Sequence, residues 1–539
     1  MGLVGRRLGR SVVLAFMALL PGCGGASRSA ELPKVEAPAT AQFYSTEAKS
    51  NGVRGGSAAS DAEELLEKAF EARGDQAVPD GTLANVAAWL IGKAYENKDW
   101  SDAALRDAVL RFGFVGVLHG AMTTSLETDA QVIERMVSQV PKNMAVNRYG
   151  IVAGQRRDVA ILIGSVEVEL DDFPRSLAPG ASLRLKGEVS ERYQRTSIHS
   201  TNPEGKVHEI PMKARAIDGS VAFAEPGVYR LEIVADGATG PVVLVNVPIH
   251  VGVSQADIDT PDDVADPNLT TEEAESTLLT LLNEERTKHG APKVEADSQL
   301  RAVALAHSVD MSEHHFVGHV SPTTKNFEDR SAKAKLRLSK QGECIAVAAT
   351  PASAHRGLLD SPAHRAGMLD PDFTHVGIGV AFTEHASGAR ELAVTLVFGR
   401  RPRTDDTALS PAEIVEILQG LRRARKLPAL RVDPALTTAA EAAGRALKAG
   451  KAKTPAEALA VSGRELTAAV NRTGVARTSC QTHIEIIDRY ELSELSVLKR
   501  TDILVIGVGT ASVDTDVGRK LAVIVIADAG AGKTVKSCQ

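Results

Sequence analysis

Two histidines and a glutamate draw attention by the segments that hold them. His319 lies in "HFVGHVSP" (315–322), Glu343 in "QGECIAVA" (341–348) and His364 in "DSPAHRAGML" (360–369). Neutral imidazole nitrogens with a carboxylate suit a borderline-soft divalent cation such as Zn²⁺, with solvent in an open position. The same trio could move protons, because a carboxylate beside a histidine shifts its pKa across neutrality. His315 and His319 have the i,i+4 spacing of a helical metal pair, but no glutamate completes an H-E-x-x-H helix. Ser361 and Pro362 read as an N-cap followed by proline at the first helical position, which puts His364 in a first turn. Arg365 reads as a surface or ion-pairing residue.

These segments need a scaffold, and the surrounding pattern describes one. Helical spacing covers Asp61–Arg73 and Thr82–Tyr95, and "VAILI" (159–163) reads as a buried strand. From Phe173 the pattern alternates: 183–189, 220–237 and 242–251 read as strands broken at Pro226-Gly227, which predicts a small Ig-like β-sandwich. "DIDTPDDVADPN" (257–268) is an acidic linker; helical periodicity resumes at Thr271, and strands return at 376–381 and 392–398. "LLNEERTKHGAPKVEADSQL" (281–300) aligns without a gap on "ILQGLRRARKLPALRVDPAL" (417–436), matching Leu282 to Leu418, Arg286 to Arg422, Pro292 to Pro428 and Asp297 to Asp433. Two copies of one unit are therefore expected, with a fainter third over 60–165.

The middle segment resembles the CAP superfamily (cysteine-rich secretory proteins, antigen 5, pathogenesis-related proteins) in its bacterial SCP-like branch. The resemblance covers roughly 271–402 and rests on "LLNEERTKHG", "QLRAVALAHSVDM", "GHVSP", "GECI", "SPAHRAGML" and "FTHVGIGVAF". It implies an α-β-α sandwich with a cavity carrying two histidines and acidic residues, able in several members to bind divalent cations. By motif position His319 and His364 match the two histidines, and Glu343 matches the first glutamate of the "GEN" motif. Cys344 stands where asparagine is usual and Leu358 where tryptophan is common, and a second cavity glutamate has no assignable counterpart. Membership does not by itself make the chain an enzyme. In the second copy the histidine-bearing segment is lost, so it reads as degenerate.

At the N-terminus, Arg6, Arg7 and Arg10 precede the apolar run 11–20, too short to span a bilayer but of signal-peptide length. It ends in Leu20-Pro21-Gly22-Cys23, which resembles a bacterial lipobox with Cys23 as the acylated residue; a plain secretory signal is the alternative. Absence of acidity just after Cys23 favours the outer membrane or cell surface. Of the other cysteines, Cys480 and Cys538 could pair, leaving Cys344 free, or all three could be unpaired. A net charge of −6 and 4% aromatics exclude a nucleic-acid footprint. "ADAGAGKT" (527–534) lacks the first glycine of a phosphate loop and the helix that should follow.

The expected protein is an α+β multidomain chain: signal peptide 1–22, tether 23–59, a helical or α+β domain 60–172, β-sandwich 173–253, linker 254–270, CAP-like domain 271–402 and degenerate CAP-like domain 403–539. The expected function is binding of an envelope or extracellular ligand by a lipid-anchored protein with a cation-capable cavity at His319, Glu343 and His364. A hydrolase using that cavity and a purely structural envelope protein are the alternatives.

Overall fold

A computed structural model describes residues 9–10, 42–95, 102–127, 131–154, 157–254, 265–384, 390–402, 409–473, 479–486, 488–495, 500–515 and 518–528. Cys23, Cys538 and most of the acidic linker lie outside the described residues. The chain divides into two compact units. One comprises Met1–Ala334, Gly342–Pro371 and Val376–Phe398; the other comprises Lys335–Gln341, Asp372–His375 and Gly399–Gln539.

Among the described residues one local arrangement occurs three times. In the middle domain the strand order is Glu295–Ala296, His375–Glu384, Arg390–Arg400, Lys340–Ala348. Toward the C-terminus the order is Arg431–Val432, Val505–Thr515, Gly518–Asp528, Ser479–Ile486. Near the N-terminus Val78–Pro79 pairs with Arg148–Ala153, which pairs with Asp158–Ser165, which pairs with Val117–Ser125. In each case an aspartate anchors the start of the second helix to the sheet. Its side chain caps the helix, as the first orphan N–H groups require, and its own N–H donates to a strand carbonyl: Asp80 to Tyr149, Asp297 to Val376, Asp433 to Ile506. The next strand residue is a glycine pressed on that helix. A Cβ on Gly377 would lie 2.0 Å from the carbonyl carbon of Leu300, and one on Gly507 2.1 Å from that of Leu436. Gly150 meets Leu83 in the same way.

The two matched arginines explain why a charged residue recurs in an apolar helix face. Arg286, on the helix Thr271–Lys288, is fully buried and donates to the carbonyls of Pro292, Met368 and Asp370 at 2.7, 2.6 and 3.0 Å. Arg422, on Pro411–Ala424, donates to Pro428, Arg500 and Ile503 at 2.7, 2.9 and 3.1 Å. Each guanidinium thus ties three backbone carbonyls, and the segments that carry them, to its own helix.

Between the first two of these domains lies a β domain. A five-stranded sheet and a three-stranded sheet share one apolar core that includes Leu185, Val221 and Phe223 with Leu231, Ile233 and Val247. It begins earlier than expected, since Val168–Leu170 pairs with Ala181–Val189. The expected tether over 23–59 is corrected at its end. Phe43–Tyr44 pairs with Phe173–Pro174, and the first long helix starts at Gly56. Tyr44 is fully buried, lies beside Arg175 and donates its hydroxyl to the Pro248 carbonyl at 2.9 Å, so aromatic burial docks a segment whose composition reads as linker.

Removing a buried guanidinium strands three carbonyls. Arg286→Met or Arg422→Met is expected to cost about 3 kcal/mol, read as a lowered urea midpoint, with Arg286→Lys recovering little because an ammonium cannot span the three acceptors. An unchanged midpoint in Arg286→Met would refute this.

Candidate functional site

The site is built on a loop, a strand and a short helix. The helix Ser298–His314 ends at His315, whose φ of 51° is left-handed, so His315 and His319 do not share a helix and the i,i+4 reading is lost. The chain then turns through Gly318 into His319. Two residues fix this turn. Asp310 accepts hydroxyl hydrogen bonds from Ser321, Thr323 and Thr324. Arg330, on the helix Phe327–Lys333, donates to the carbonyls of His319 and Lys325 at 3.1 and 2.7 Å.

Glu343 stands on the strand Lys340–Ala348, with its side chain only 3% exposed. One carboxylate oxygen accepts from His319 Nδ1 at 3.0 Å and the other from Arg330 Nη2 at 2.6 Å. Burial raises its pKa, but the His319 hydrogen bond and the charges of His307, His319 and Arg330 outweigh it, so the carboxyl is held below its ordinary value. It is an ionised group spent on two partners.

His364 follows the expected cap. Ser361 is the N-cap of the helix Pro362–Met368, with Pro362 in its first turn. Ser361 Oγ accepts from the His364 backbone N–H and lies 2.8 Å from His364 Nδ1. Burial, with the nearby His319 charge, pushes His364 down to about 3, so it is neutral at physiological pH. The His319 and His364 rings are stacked, 6.4 Å between centroids at 29°. Their Nε2 atoms make no hydrogen bond among the described residues. Cys344, the departure from the family motif, is a buried free thiol under this helix, pushed up to about 12 by burial and the Glu343 charge. That makes it unreactive.

The three expected residues therefore meet, with a division of labour the sequence does not announce. Glu343 does not fit as a third ligand, because both oxygens are engaged; among the described residues no group of three His, Cys, Asp or Glu side chains is arranged to hold a metal ion. The two Nε2 atoms are the donors that remain. Sequence reasoning missed four contributors. His307 is fully buried, with Nε2 3.1 Å from the Gly318 carbonyl. Asp310 and Arg330 fix the loop. Glu232, from the β domain, accepts from the Ala363 N–H at 2.9 Å. The run "HSVDM" (307–311) was a visible signal for the first two; Arg330 and Glu232 carried none. Arg365 is ion-paired as expected, with Glu285 at 3.3 Å. Cys480 is disulfide-bonded; its expected partner Cys538 lies outside the described residues.

Known proteins share this part of the chain. Residues 279–398 match the family model "CAP: Cysteine-rich secretory protein family". A protein named uncharacterized membrane protein YlbC, of Bacillus subtilis (strain 168), is 37% identical over 108 residues, 20% of this chain and 31% of that protein. Uncharacterized protein YkwD of the same organism is 33% identical over 106 residues, 20% of this chain and 41% of its own. The chain thus spans less than half the length of either relative. Among solved structures, an extracellular protein containing an SCP domain from Bacillus anthracis str. Ames covers 41% of this chain and 87% of its own at 18% identity and a TM-score of 0.23. An outer surface protein from Borrelia burgdorferi covers 25% and 96% at 20% identity and a TM-score of 0.22. At such scores the overall shapes are not comparable, and the assignment stands on the sequence match: the middle domain, residues 279–398, is a CAP domain, similar to that of these bacterial relatives.

The protonation of the buried histidines sets a pH dependence. Burial pushes His119, His307 and His355 down to about 4, and His364 lower still. Unfolded histidines titrate near 6.5, so below that pH the unfolded state takes up protons that the folded state refuses. Stability is complete above about pH 6.5 and is lost as pH falls toward 4. Urea midpoints are expected to be level from pH 8 to 7 and to fall steeply from 6.5 to 4, with the fully buried His307 alone accounting for about 3 kcal/mol. A level profile down to pH 5 would contradict this.

Proposed function

We propose that this chain is a bacterial cell-envelope protein that binds a ligand through the CAP cavity, at the Nε2 atoms of His319 and His364. The observation that carries this reading is the pair of neighbouring rings whose Nδ1 atoms are both engaged, His319 by Glu343 and His364 by Ser361. Such pairing fixes each ring's orientation and leaves one nitrogen for a ligand. A divalent cation, Zn²⁺ by donor chemistry, is the probe that fits, with Glu343 outside the coordination sphere and other positions left to solvent or an anionic group of the ligand. Binding is preferred to hydrolysis because the two nucleophiles beside the site are committed. Ser361 is buried and caps a helix, and the Cys344 thiol is held protonated.

The envelope assignment is supported by the arginine-rich N-terminus, the apolar run 11–20 and Cys23 at a lipobox-like position. A relative named as a membrane protein agrees with it. Two acyl chains on Cys23 would give stable anchoring where one would not. The recurring sheet order, capping aspartates and paired arginines support reading the three α/β domains as copies of one unit, of which the middle one keeps the polar site. The two-sheet domain is read as an Ig-like sandwich.

Calorimetric titration of the full chain with Zn²⁺ tests the cavity: wild type is expected to release heat at one site, and His319→Ala/His364→Ala to release none. Equal heats from the two proteins would remove the proposal. For the anchor, palmitate labelling is expected in wild type and lost in Cys23→Ser; label persisting in the variant would point to a plain secreted form.

A further inference from the structure

The loop that follows the helix Gln131–Gln139 faces the end of the helix Ser298–His314. Between them, where the N-terminal α/β domain meets the CAP domain, lies a cavity of about 320 Å³. None of His319, Glu343 and His364 lines it. Both walls are held by hydrogen bonds. On one side the Arg73 guanidinium donates to the carbonyls of Val140, Pro141 and Met144. Across the domain boundary, Asn143 Nδ2 donates to the Val317 carbonyl at 3.0 Å. Val317 and Val347 pack on the core of the N-terminal domain, and Phe316 packs with Met311 and Ala393. A fixed, concave space at a domain boundary is the usual setting of a small-molecule pocket. Its volume is at the low end of the range of about 300–1,000 Å³ for such pockets, which suits a compact guest.

The chemistry of the lining narrows the guest further. Its apolar part is Met144, Met311, Phe316, Val317, Val347 and Ala393. Two thioethers beside an aromatic ring favour an aromatic guest, because sulfur–ring and ring–ring contacts add to simple burial. Much of the polar lining is already committed. Ser312 Oγ and Thr383 Oγ1 lie 2.8 Å apart and serve each other, and His314 Nδ1 is 2.9 Å from Asp310 Oδ1. Gln139 differs: its Oε1 is buried and makes no hydrogen bond among the described residues. A buried acceptor of that kind carries a desolvation cost that a donor on a guest would remove. The exposed Lys142 and the buried Glu391 are opposite in sign, so together they offer no excess charge for an ion to complement.

We propose that this cavity is a second binding site, for a compact uncharged aromatic molecule that bears an N–H or O–H donor. The rings fill the space beside the two methionines and Phe316, and the donor goes to Gln139 Oε1. The site goes beyond the two-imidazole reading, since it needs neither a cation nor His319 or His364. It belongs to two domains at once: Gln139 and Met144 come from one, Met311 and Phe316 from the other.

The test titrates the full chain with N-phenyl-1-naphthylamine, an aromatic amine with one N–H donor whose fluorescence rises in apolar surroundings. Wild type is expected to bind the probe saturably and to release it to indole. Release to 1-methylindole, which keeps the rings and lacks the donor, is expected to be about 5–10-fold less effective. Gln139→Leu removes the acceptor, so the two indoles are expected to compete equally in that variant. Ala393→Leu puts carbon into the cavity and is expected to weaken probe binding by about tenfold or more, with no fall in the urea midpoint. His319→Ala/His364→Ala is expected to bind the probe as wild type does, so loss of the cation reading leaves this site standing. Absence of saturable binding in wild type, equal competition by the two indoles there, or unchanged probe binding in Ala393→Leu would overturn the proposal. So would displacement by hexanol or hexanoate at lower concentration than by indole, which would mark an acyl-chain site. If Ala393→Leu fails to fold, Gln139→Leu decides alone, and a persisting preference for indole refutes the assignment.

Discussion

Everything distinctive about the middle domain hangs on one buried carboxylate. Glu343 has a side chain 3% exposed and can remain ionised there only because Arg330, 6% exposed, and His319 share its two oxygens. Burying that charge without partners would cost several kcal/mol. The same guanidinium holds the His319 carbonyl, so the loop, the ring and the carboxylate are locked as one body. The cost of dissolving this cluster is what keeps a polar, solvent-touching histidine in a single orientation.

That lock also limits the chemistry. A carboxylate already shared between a guanidinium and an imidazole is a poor metal ligand and a weak proton acceptor. What it does well is orient. Cys344 points the same way: the family's asparagine position is occupied by a thiol that burial keeps protonated, so it fills space under the His364 helix and adds no nucleophile. The site that results offers two imidazole nitrogens in a partly buried setting, the profile of a binding site.

Elements whose apolar residues recur at a fixed period were legible in the chain. The helix beginning at Thr271 and the strand pair around 376–398 fall where periodicity puts them, since a helix face or a strand face must be apolar to be buried. Ser361-Pro362 was legible as a cap for an equally local reason. The 42–55 segment was not, because two aromatic residues in a polar stretch carry no period, and only the β domain supplies the pocket that Tyr44 fills. The spacing of His315 and His319 shows the same limit: i,i+4 implies a shared face only while the helix continues, and it stops one residue before His315.

By itself the sequence determined which residues are capable of chemistry, where the CAP domain lies, and that Arg286 and Arg422 occupy equivalent places in two segments. These are properties of residue type and short-range order, and they survive without coordinates. Tertiary structure alone decided what the charged residues do. Arg330 became the partner of Glu343 through a loop-to-strand contact with no sequence period. Glu232, placed by alternation on a face that should meet water, was buried when a second domain closed over it. A carboxylate's role depends on which donors reach its two oxygens, and those donors come from parts of the chain that only folding brings within 3 Å.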